Sequence, residues 1–408
     1  MKPVRISIKL LVLYILFPFN LFGADFDGII YVRSINTITT AVPFLMIAPD
    51  ARAGAMGDVG VSSSPDINSM HWNPAKYAFF KDDNFYEVDE ETGDTLAIKD
   101  NLFSVGLNYT RSFGRDINLS QATSVWRPDQ KQAIAISMKY FTLGEVNFTD
   151  NQGISLGSVK PREFAFDLAY ARKLGDYISG AIAGRFIYSD ISQGSIEGAQ
   201  AGVAYAADLA LYYQKPLNVG KTPATFSWGI NISNIGTKIT YTDDVDADFI
   251  PINLRIGPSI NFMLNKDYQL AFMVDFNKLL VPTPPIYERD SLGNLIHDGD
   301  GFRIEKGRDP NRSVFSGMLG SFTDAPGGFS EEMNEITISV GAEFNYKQVL
   351  FFRGGYFHEH ESKGNRKYVT AGFGGRYKIA SLDFAYVIPV AQRSPLENVL
   401  RFSLGLKF

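Results

Sequence analysis

From residue 102 to the C-terminus, apolar side chains recur at every second position in a long series of short segments. In the first segment, for example, Phe103, Val105 and Leu107 fall on one face. Alternation of this kind is the signature of β-strands, because successive side chains point to opposite faces. The second segment is the weakest, because Gln121 falls on its apolar face. The pattern predicts fourteen strands, at residues 102–110, 116–127, 132–142, 162–173, 177–190, 201–214, 224–233, 252–264, 268–278, 336–346, 349–357, 367–378, 381–389 and 399–408.

The connections between these segments alternate in length. Those after even-numbered strands are short, at 128–131, 174–176, 265–267 and 347–348. Those after odd-numbered strands are mostly long, at 143–161, 191–200, 234–251, 279–335 and 358–366. Short periplasmic turns and long outer loops are typical of outer-membrane barrels, whereas a soluble sandwich has no reason to show this asymmetry. The sequence therefore predicts an all-β fold, a 14-stranded antiparallel transmembrane β-barrel, with charges such as Arg185 and Asp208 facing its interior.

The N-terminus has the parts of an export signal. Three basic residues precede the short apolar run LLVLYILFPFN, and Ala24 ends the predicted cleavage site. We therefore predict a signal peptide at 1–24. The chain has no cysteine, which excludes disulfides and thiol catalysis. Its net charge of −5 gives no basic surface for nucleic acid.

The stretch between the signal peptide and the first strand is rich in Gly and Ala and has no long alternating run. Eight strands leave an interior that side chains fill, while 16 to 18 leave an aqueous channel, so an empty 14-stranded lumen would leak. We therefore predict an N-terminal hatch or plug at 25–101, inside a barrel formed by 102–408 with a long outer loop at 279–335.

The predicted hatch contains three glycines spaced by three, which match neither the dinucleotide-binding nor the phosphate-loop pattern. We interpret them as packing and turn positions, where a residue without a Cβ is needed. Asp50 and Arg52 are expected to form a local ion pair. The predicted hatch motif comprises Asp50, Arg52, Gly54, Gly57, Asp58, Gly60, Asn73 and Pro74.

No catalytic or metal-binding constellation stands out. The sequence has no G-x-S-x-G, and a serine nucleophile would need His71 as base and one of the serines within 62–69. We interpret His71 as a packing or hydrogen-bonding residue. The acidic stretches at 242–249 and 297–302 lack the spacing of an EF-hand, and FHEHES at 357–362 lacks a third ligand. We predict that the chain is not an enzyme and holds no metal and no cofactor.

The long outer loop is unusually apolar. It begins LLVPTPPIY at 279–287 and continues to RSVFSGMLGSFTDAPGG, where an apolar helical face is followed by a proline and two glycines that stop the helix. That face contains Val314, Phe315, Met318, Leu319 and Phe322. The loop is either a docking surface for another protein or a cover folded over its own barrel mouth. The predicted partner-binding residues are Leu280, Val281, Pro282, Pro284, Pro285, Phe315, Met318, Leu319 and Phe322.

The hatch motif also carries a resemblance. Arg52-Ala53, Met56-Gly57, Gly60-Val61 and Asn73-Pro74-Ala75 resemble the framework of the FadL-like outer-membrane family. The longer sequences at 40–79 and at 313–336 are similar to those of the FadL-related barrel family of the type IX secretion system.

This resemblance implies a location in the outer membrane and a role in protein secretion. A barrel of this family would bind secreted proteins with C-terminal sorting domains at the translocon barrel, and deliver them to sortase-like attachment-complex proteins at the cell surface. Outer-membrane lipid would surround it. The alternative is a FadL-type transporter of hydrophobic small molecules, which needs a continuous apolar path through the lumen. Charges of both signs on the predicted lumen faces disfavour that path.

Overall fold

The computed structural model describes the chain at residues 36–80, 102–112, 116–149, 152, 155–194, 198–242, 246–299, 301–390 and 399–408. The predicted signal peptide at 1–24 and both ends of the predicted hatch, at 25–35 and 81–101, lie outside the described residues.

Within these ranges, fourteen antiparallel strands form a closed barrel, because the first strand pairs with the last as well as with the second. The fold predicted from the alternation is therefore confirmed. The strands are β1 (Leu102–Ser112), β2 (Ile117–Arg127), β3 (Gln132–Thr142), β4 (Arg162–Lys173), β5 (Ile178–Asp190), β6 (Gly202–Val219), β7 (Thr222–Gly236), β8 (Asn253–Met263), β9 (Tyr268–Leu279), β10 (Thr337–Tyr346), β11 (Leu350–His358), β12 (Lys367–Tyr377), β13 (Ala380–Pro389) and β14 (Val399–Lys407).

The largest difference from the predicted strand ends is the hairpin of β6 and β7. Pairing continues from Lys215 opposite Phe226 to Val219 opposite Thr222, beyond the predicted end at residue 214. The alternation stops near Pro216, but backbone hydrogen bonds do not require an apolar face. The strands therefore extend further than their side-chain pattern indicates.

Along most strands, large apolar side chains point outward and polar ones point inward. Leu107, Ile182 and Phe373 are exposed on the outer face, whereas Asp167 and Asp275 are buried inside. An apolar outer band suits contact with lipid. The odd-numbered strands finish at the end that carries the long loops, and we call this end the outer mouth.

The second strand is an exception to this pattern. In β2 the apolar residues Leu119 and Val125 point inward with Gln121, while Ala122 and Ser124 point outward. The face of β2 that contains Gln121, and that the sequence pattern identified as apolar, is thus the face toward the lumen. Val125 on this face has apolar neighbours, because it packs in a buried cluster with N-terminal residues such as Met70 and Tyr77.

Residues 36–80, which we call the lumen segment, pack against the inward faces of the strands. The Asn36 N–H donates to the Ser362 carbonyl 3.0 Å away at the outer mouth, and Arg127 near the opposite end donates to the Phe80 carbonyl. The segment therefore runs from one end of the barrel to the other. It contains short helices at Pro43–Met46, Ala51–Gly54, Ser69–Trp72 and Pro74–Phe79.

The outer loops carry their own short elements. Helices lie at Val314–Gly320, Phe329–Asn334 and Glu361–Lys363, and small hairpins pair Val146–Thr149 with Ser155–Val159, Ile286–Tyr287 with Ile304–Lys306, and His297–Asp298 with Gly301–Phe302. None of the helices in the described ranges is long and apolar enough to cross a membrane.

Alanines on the inward faces of β3 to β6 leave room for the lumen segment. They surround Met70, Tyr77, Phe79 and Phe80 in one buried cluster. Larger inward side chains would fill the space that these aromatic rings occupy. The inward alanines of this cluster are Ala133, Ala135, Ala169, Ala171, Ala181, Ala183 and Ala210.

We expect Ala135→Leu to destabilise the barrel by about 1–3 kcal/mol, because the added atoms overpack a full interior. The control is Ala122→Leu on the neighbouring strand, which points outward and is exposed; it should change stability by less than about 0.5 kcal/mol. The unfolding of both variants in detergent is measured by urea titration and by the heat-dependent shift in gel mobility. Equal effects of the two substitutions would contradict the packing of the lumen segment against β3.

Candidate functional site

The lumen segment is held by buried ion pairs rather than by the predicted local pair. Asp50 accepts hydrogen bonds from the Ala53 N–H (2.8 Å) and from Nε1 of Trp72 (2.6 Å). Arg52 turns away and pairs with Asp66 (2.7 Å) and Glu343 (3.0 Å). The predicted ion pair between Asp50 and Arg52 is therefore wrong. Side chains two residues apart on a helix do not face each other, and Asp50 caps the helix that contains Arg52.

Arg52 belongs to a chain of charges that includes side chains from three strands of the wall. Its Nε and Nη2 atoms donate to the two oxygens of Glu343 on β10, each at 3.0 Å. Arg353 on β11 donates to the same carboxylate at 2.6 Å and to Asp383 on β13 at 2.6 Å. Two-point Arg–carboxylate contacts fix geometry as well as distance. The chain of charges ties the lumen segment to one side of the wall.

Two of the hatch glycines lie where the backbone of the segment meets the wall. Gly57 has φ +72°, and a Cβ there would come within 2.7 Å of the Tyr356 backbone. At Gly60, the backbone N–H donates to Asp275 of β9 at 2.8 Å, as does that of Val61 at 2.9 Å. A positive φ and a close backbone approach are the conditions that favour glycine.

The remaining hatch residues also bond to the wall or to the segment itself. Asp58 accepts from Arg401 of β14 and from the Tyr368 hydroxyl of β12, both at 2.5 Å. Asn73 donates to the carbonyls of Val61 and Leu211, at 3.0 and 2.9 Å. Gly54 lies against the Arg401 side chain, and Pro74 begins the helix Pro74–Phe79. The predicted hatch residues thus contact β6, β9, β10, β11, β12 and β14.

His71 has no serine partner among the described residues. Its Nδ1 atom lies 3.2 Å from Nζ of Lys139, and its ring packs edge-on against Trp72. Within the same described part of the chain, no group of three or more His, Asp or Glu side chains is placed to hold a metal ion. Asp243, Asp244 and Asp300, from the acidic stretches of the sequence, lie outside that part.

At the outer mouth, five charged side chains, four of them buried and Glu331 half-buried, form a group that we call the ion cluster: Lys278, Lys363, Glu331, Glu332 and Glu335. Lys278 pairs with Glu332 at 2.9 Å and with Glu335 at 2.5 Å, and Lys363 pairs with Glu331 at 2.5 Å and with Glu335 at 3.0 Å. The three glutamates belong to the helix Phe329–Asn334 and the residue after it. The cluster therefore fastens the long outer loop to β9 and to the loop between β11 and β12.

The ion cluster also includes the start of the lumen segment. Asn36 donates to Glu331 at 2.9 Å and to the Pro284 carbonyl at 3.1 Å. Burial alone would raise the pKa of Glu331, but hydrogen bonds from Lys363, the Gly327 N–H and Asn36 hold this pKa below its usual value. The loop, the wall and the lumen segment are thus joined at one place.

The predicted helical face in the long loop divides into two. Val314 and Met318 face the barrel and pack on a buried group that includes Leu280 and Val281. Phe315 and Leu319 point outward, with 67% and 71% of their surface exposed. Side chains at i and i+4 share a face of a helix, so Val314 pairs with Met318 and Phe315 with Leu319. One face anchors the helix and the other is free.

Of the other residues predicted to bind partners, Pro282 is buried, Pro284 and Pro285 are half-buried, and Phe322 is exposed. The structure adds Phe329 and Met333 on the next helix, which are also exposed and which the sequence prediction missed. Because Phe329 and Met333 are four residues apart, the sequence could have predicted that they share one face of a helix. We call the exposed side chains the apolar patch: Phe315, Leu319, Phe322, Phe329 and Met333.

Beneath the outer loops lie two cavities, of about 470 and 460 Å³. The first, which we call the polar cavity for its many polar and charged lining residues, includes Thr39, Arg255 and Asn277 beside apolar residues such as Ile38 and Phe357. The second has a mostly apolar wall that includes Phe44 and Phe141. Volumes of this size are typical of ligand pockets.

A closed barrel with apolar outer faces, a charged interior and long loops at one end defines a transmembrane β-barrel of the outer membrane. The family model for the type IX secretion system protein PorV matches residues 32–286. The chain belongs to the PorV family.

Solved structures with a similar barrel include two from Pseudomonas. The toluene transporter TodX of Pseudomonas putida is 11% identical with a TM-score of 0.47, over 92% of this chain and 98% of that one. A FadL homologue of Pseudomonas aeruginosa is 10% identical with a TM-score of 0.45, over 92% of this chain and 99% of that one. The search of curated proteins finds no match.

We expect Arg52→Met to loosen the lumen segment by about 3–5 kcal/mol, because it leaves the half-buried Asp66 and the buried Glu343 carboxylates without this partner. The control is Lys367→Met, which breaks a partly exposed pair with Glu361 and should cost less than about 1 kcal/mol. Hydrogen exchange of residues 50–61 reports local opening, and urea titration reports global stability. Unchanged exchange in Arg52→Met would show that the charge chain does not hold the segment.

Proposed function

We propose that this barrel binds secreted proteins with C-terminal sorting domains at the type IX translocon and delivers them to the cell-surface attachment machinery. Its partners in this proposal are the translocon barrel, the cargo proteins and sortase-like attachment proteins. Outer-membrane lipid surrounds the strands. Membership of the PorV family supports a role in type IX secretion. The exposed apolar side chains at the outer mouth support binding of partner proteins there.

The apolar patch is the observation that carries this proposal. Phe329 is 80% exposed, and Phe315 and Leu319 are exposed to a similar degree. Exposed large apolar side chains outside the lipid-facing wall are typical of protein-binding surfaces, and aromatic residues are common among those that dominate binding energy. Because β1–β14 meet the lipid, these loop helices are where a soluble partner has access.

The loop is held in a fixed position, which favours binding. Glu332 and Glu335 are buried against Lys278, so the helix Phe329–Asn334 has little freedom to move. On the facing side, Met318 packs into the barrel mouth. A surface that is ordered before it binds loses less entropy on binding.

We further propose that residues 25–101 are a plug and that cargo does not pass through the lumen. The segment bonds to strands on many sides of the wall, through Arg52, Asp58 and Asn73 among others. Removing it would break several buried ion pairs at once, which is costly. The work of the barrel would then be done at its outer mouth.

We expect the double substitution Phe315→Asp and Leu319→Asp to abolish recovery of translocon and cargo proteins when the barrel is purified from gently solubilised outer membranes. Charges on the exposed face weaken an apolar contact and leave the buried face of the helix intact. The matched control is Leu292→Asp, at an 85% exposed residue elsewhere in the same loop. Mass spectrometry identifies the recovered proteins, and heat-dependent gel mobility checks the barrel. Normal recovery with the double variant would reject the patch as the docking surface.

A second candidate function is transport of hydrophobic small molecules, and the apolar cavity of about 460 Å³ favours it. Charges at one side of that cavity, including Asp58 and Arg401, interrupt an apolar path toward the lumen. We therefore place this function second.

Transport predicts that the purified barrel binds the fluorescent probe 1-N-phenylnaphthylamine, and that Phe44→Asp in the cavity wall abolishes this binding. It also predicts slower uptake of apolar nutrients in a deletion strain. Binding of the probe, together with impaired uptake and normal secretion, would favour the transporter over the secretion role. The secretion proposal expects normal uptake.

A further inference from the structure

Four consecutive residues cross the polar cavity at the outer mouth without regular backbone pairing. Thr37, Ile38, Thr39 and Thr40 all line this cavity. Within the described residues, none of their backbone N–H or C=O groups takes part in a hydrogen bond. We call Thr37–Thr40 the unpaired segment.

Both ends of the unpaired segment are fixed. The Asn36 N–H donates to the Ser362 carbonyl at 3.0 Å, and the Ala41 N–H donates to the Phe249 carbonyl at 3.0 Å. The Asn36 side chain is bound to the ion cluster as well. The segment is therefore a short stretch of backbone that is tethered at both ends and has no backbone partner among the described residues.

Its residue types suit a β-strand. All four side chains branch at Cβ, a composition that favours extended backbone and strand pairing. Backbone groups in proteins are nearly always hydrogen-bonded, and a strand edge with free groups is a ready template for another chain. An added strand would bond to the backbone of the segment, which requires an extended polypeptide rather than a compact ligand.

The charges around the cavity indicate which polypeptide fits best. Lys363 is paired with Glu335 at 3.0 Å, and Arg366 is paired with Glu359 at 2.7 Å. Asp58 is paired with Arg401. Most charges at this wall are thus neutralised by a neighbour.

Arg255 differs from these cations. It donates to Asn277 at 2.6 Å and to the His71 carbonyl at 3.3 Å, and lies over the Trp72 ring, but no described carboxylate is within ion-pair distance of it. It is buried and lines the same cavity. A carboxylate that entered the cavity would find a guanidinium that forms no ion pair with a described carboxylate, and a guanidinium is the group best suited to bind a carboxylate with two hydrogen bonds.

We propose that the outer mouth binds an extended, acidic peptide segment, which pairs its backbone with Thr37–Thr40 and directs a carboxylate to Arg255. The cavity of about 470 Å³ provides room for a few residues, since four extended residues span only about 13 Å. The source of the peptide, a secreted protein, rests on the proposed function, whereas the site and its chemistry do not. A free anion would satisfy Arg255 but leave the unpaired backbone without partners.

The test is selection of a phage-displayed library of random octapeptides on the purified full-length barrel in detergent. We expect the selected peptides to carry Asp or Glu among β-branched residues. A synthetic copy with N-methyl groups on alternate residues should bind at least tenfold more weakly, because it lacks backbone donors. Replacing its acidic residue by Asn or Gln should weaken binding roughly tenfold, as expected for a charge-assisted hydrogen bond.

Variants of the barrel test each half of the site. Thr39→Pro removes a backbone donor and should weaken binding at least tenfold, whereas Thr39→Val keeps the donor and the shape and should not. Arg255→Gln should erase the preference for the acidic peptide, and Arg255→Lys should keep part of it. Heat-dependent gel mobility confirms that each variant remains a folded barrel.

Several results would overturn the inference. These are a selection without binders, binders that lack acidic residues, full affinity after N-methylation, and equal binding to Thr39→Pro and Thr39→Val. Displacement by millimolar inorganic phosphate with no effect of Thr39→Pro would instead identify a simple anion site. Because translocon recovery is measured separately with the apolar patch variants, failure here leaves the secretion proposal standing, and failure there leaves the peptide site standing.

Discussion

In the hydrocarbon core of a membrane, an unpaired backbone N–H or C=O group costs several kcal/mol, because no water is present to bond it. This constraint explains why β1 pairs with β14 and leaves no free edge in the wall. It also explains why the unpaired groups of Thr37–Thr40 lie at the outer mouth, where water or another chain can reach them.

Closure of the barrel creates a second problem, since the lumen removes many charged side chains from water. The protein resolves it by pairing, as Arg185 does with Asp167 and Asp208, and as Arg353 does with Glu343 and Asp383. The lumen segment takes part in these networks. Breaking a buried pair is strongly destabilising. Because the pairs that bind the segment to the wall share partners, their contributions to stability are coupled.

The alternation of side chains predicted all fourteen strands, because lipid on one side and a lumen on the other impose a strict period of two. It could not predict local reversals. In β2, Leu119 and Val125 face inward because the lumen segment supplies an apolar surface to each of them, which periodicity alone does not reveal. The pairing of Arg52 with Glu343 joins residues far apart in sequence, so spacing suggested the nearer Asp50 instead. The inward alanines, such as Ala169 and Ala171, did carry a readable signal, since small residues on a lumen face imply that something else fills the space.

The outer loop illustrates how a single apolar stretch can serve two purposes. Sequence alone could not separate a cover for the barrel mouth from a docking surface, because both need apolar residues at helical spacing. The structure separates them by face: Val314 and Met318 pack inward, while Phe315 and Leu319 remain exposed. The ion cluster makes this division possible, because Glu332 and Glu335 fix the loop without using its apolar side chains. Since Asn36 joins the same cluster, the exposed patch and the unpaired segment are anchored to common residues. A partner that engaged both would contact two surfaces held by the same anchors rather than two independent loops, which lowers the entropy lost on binding.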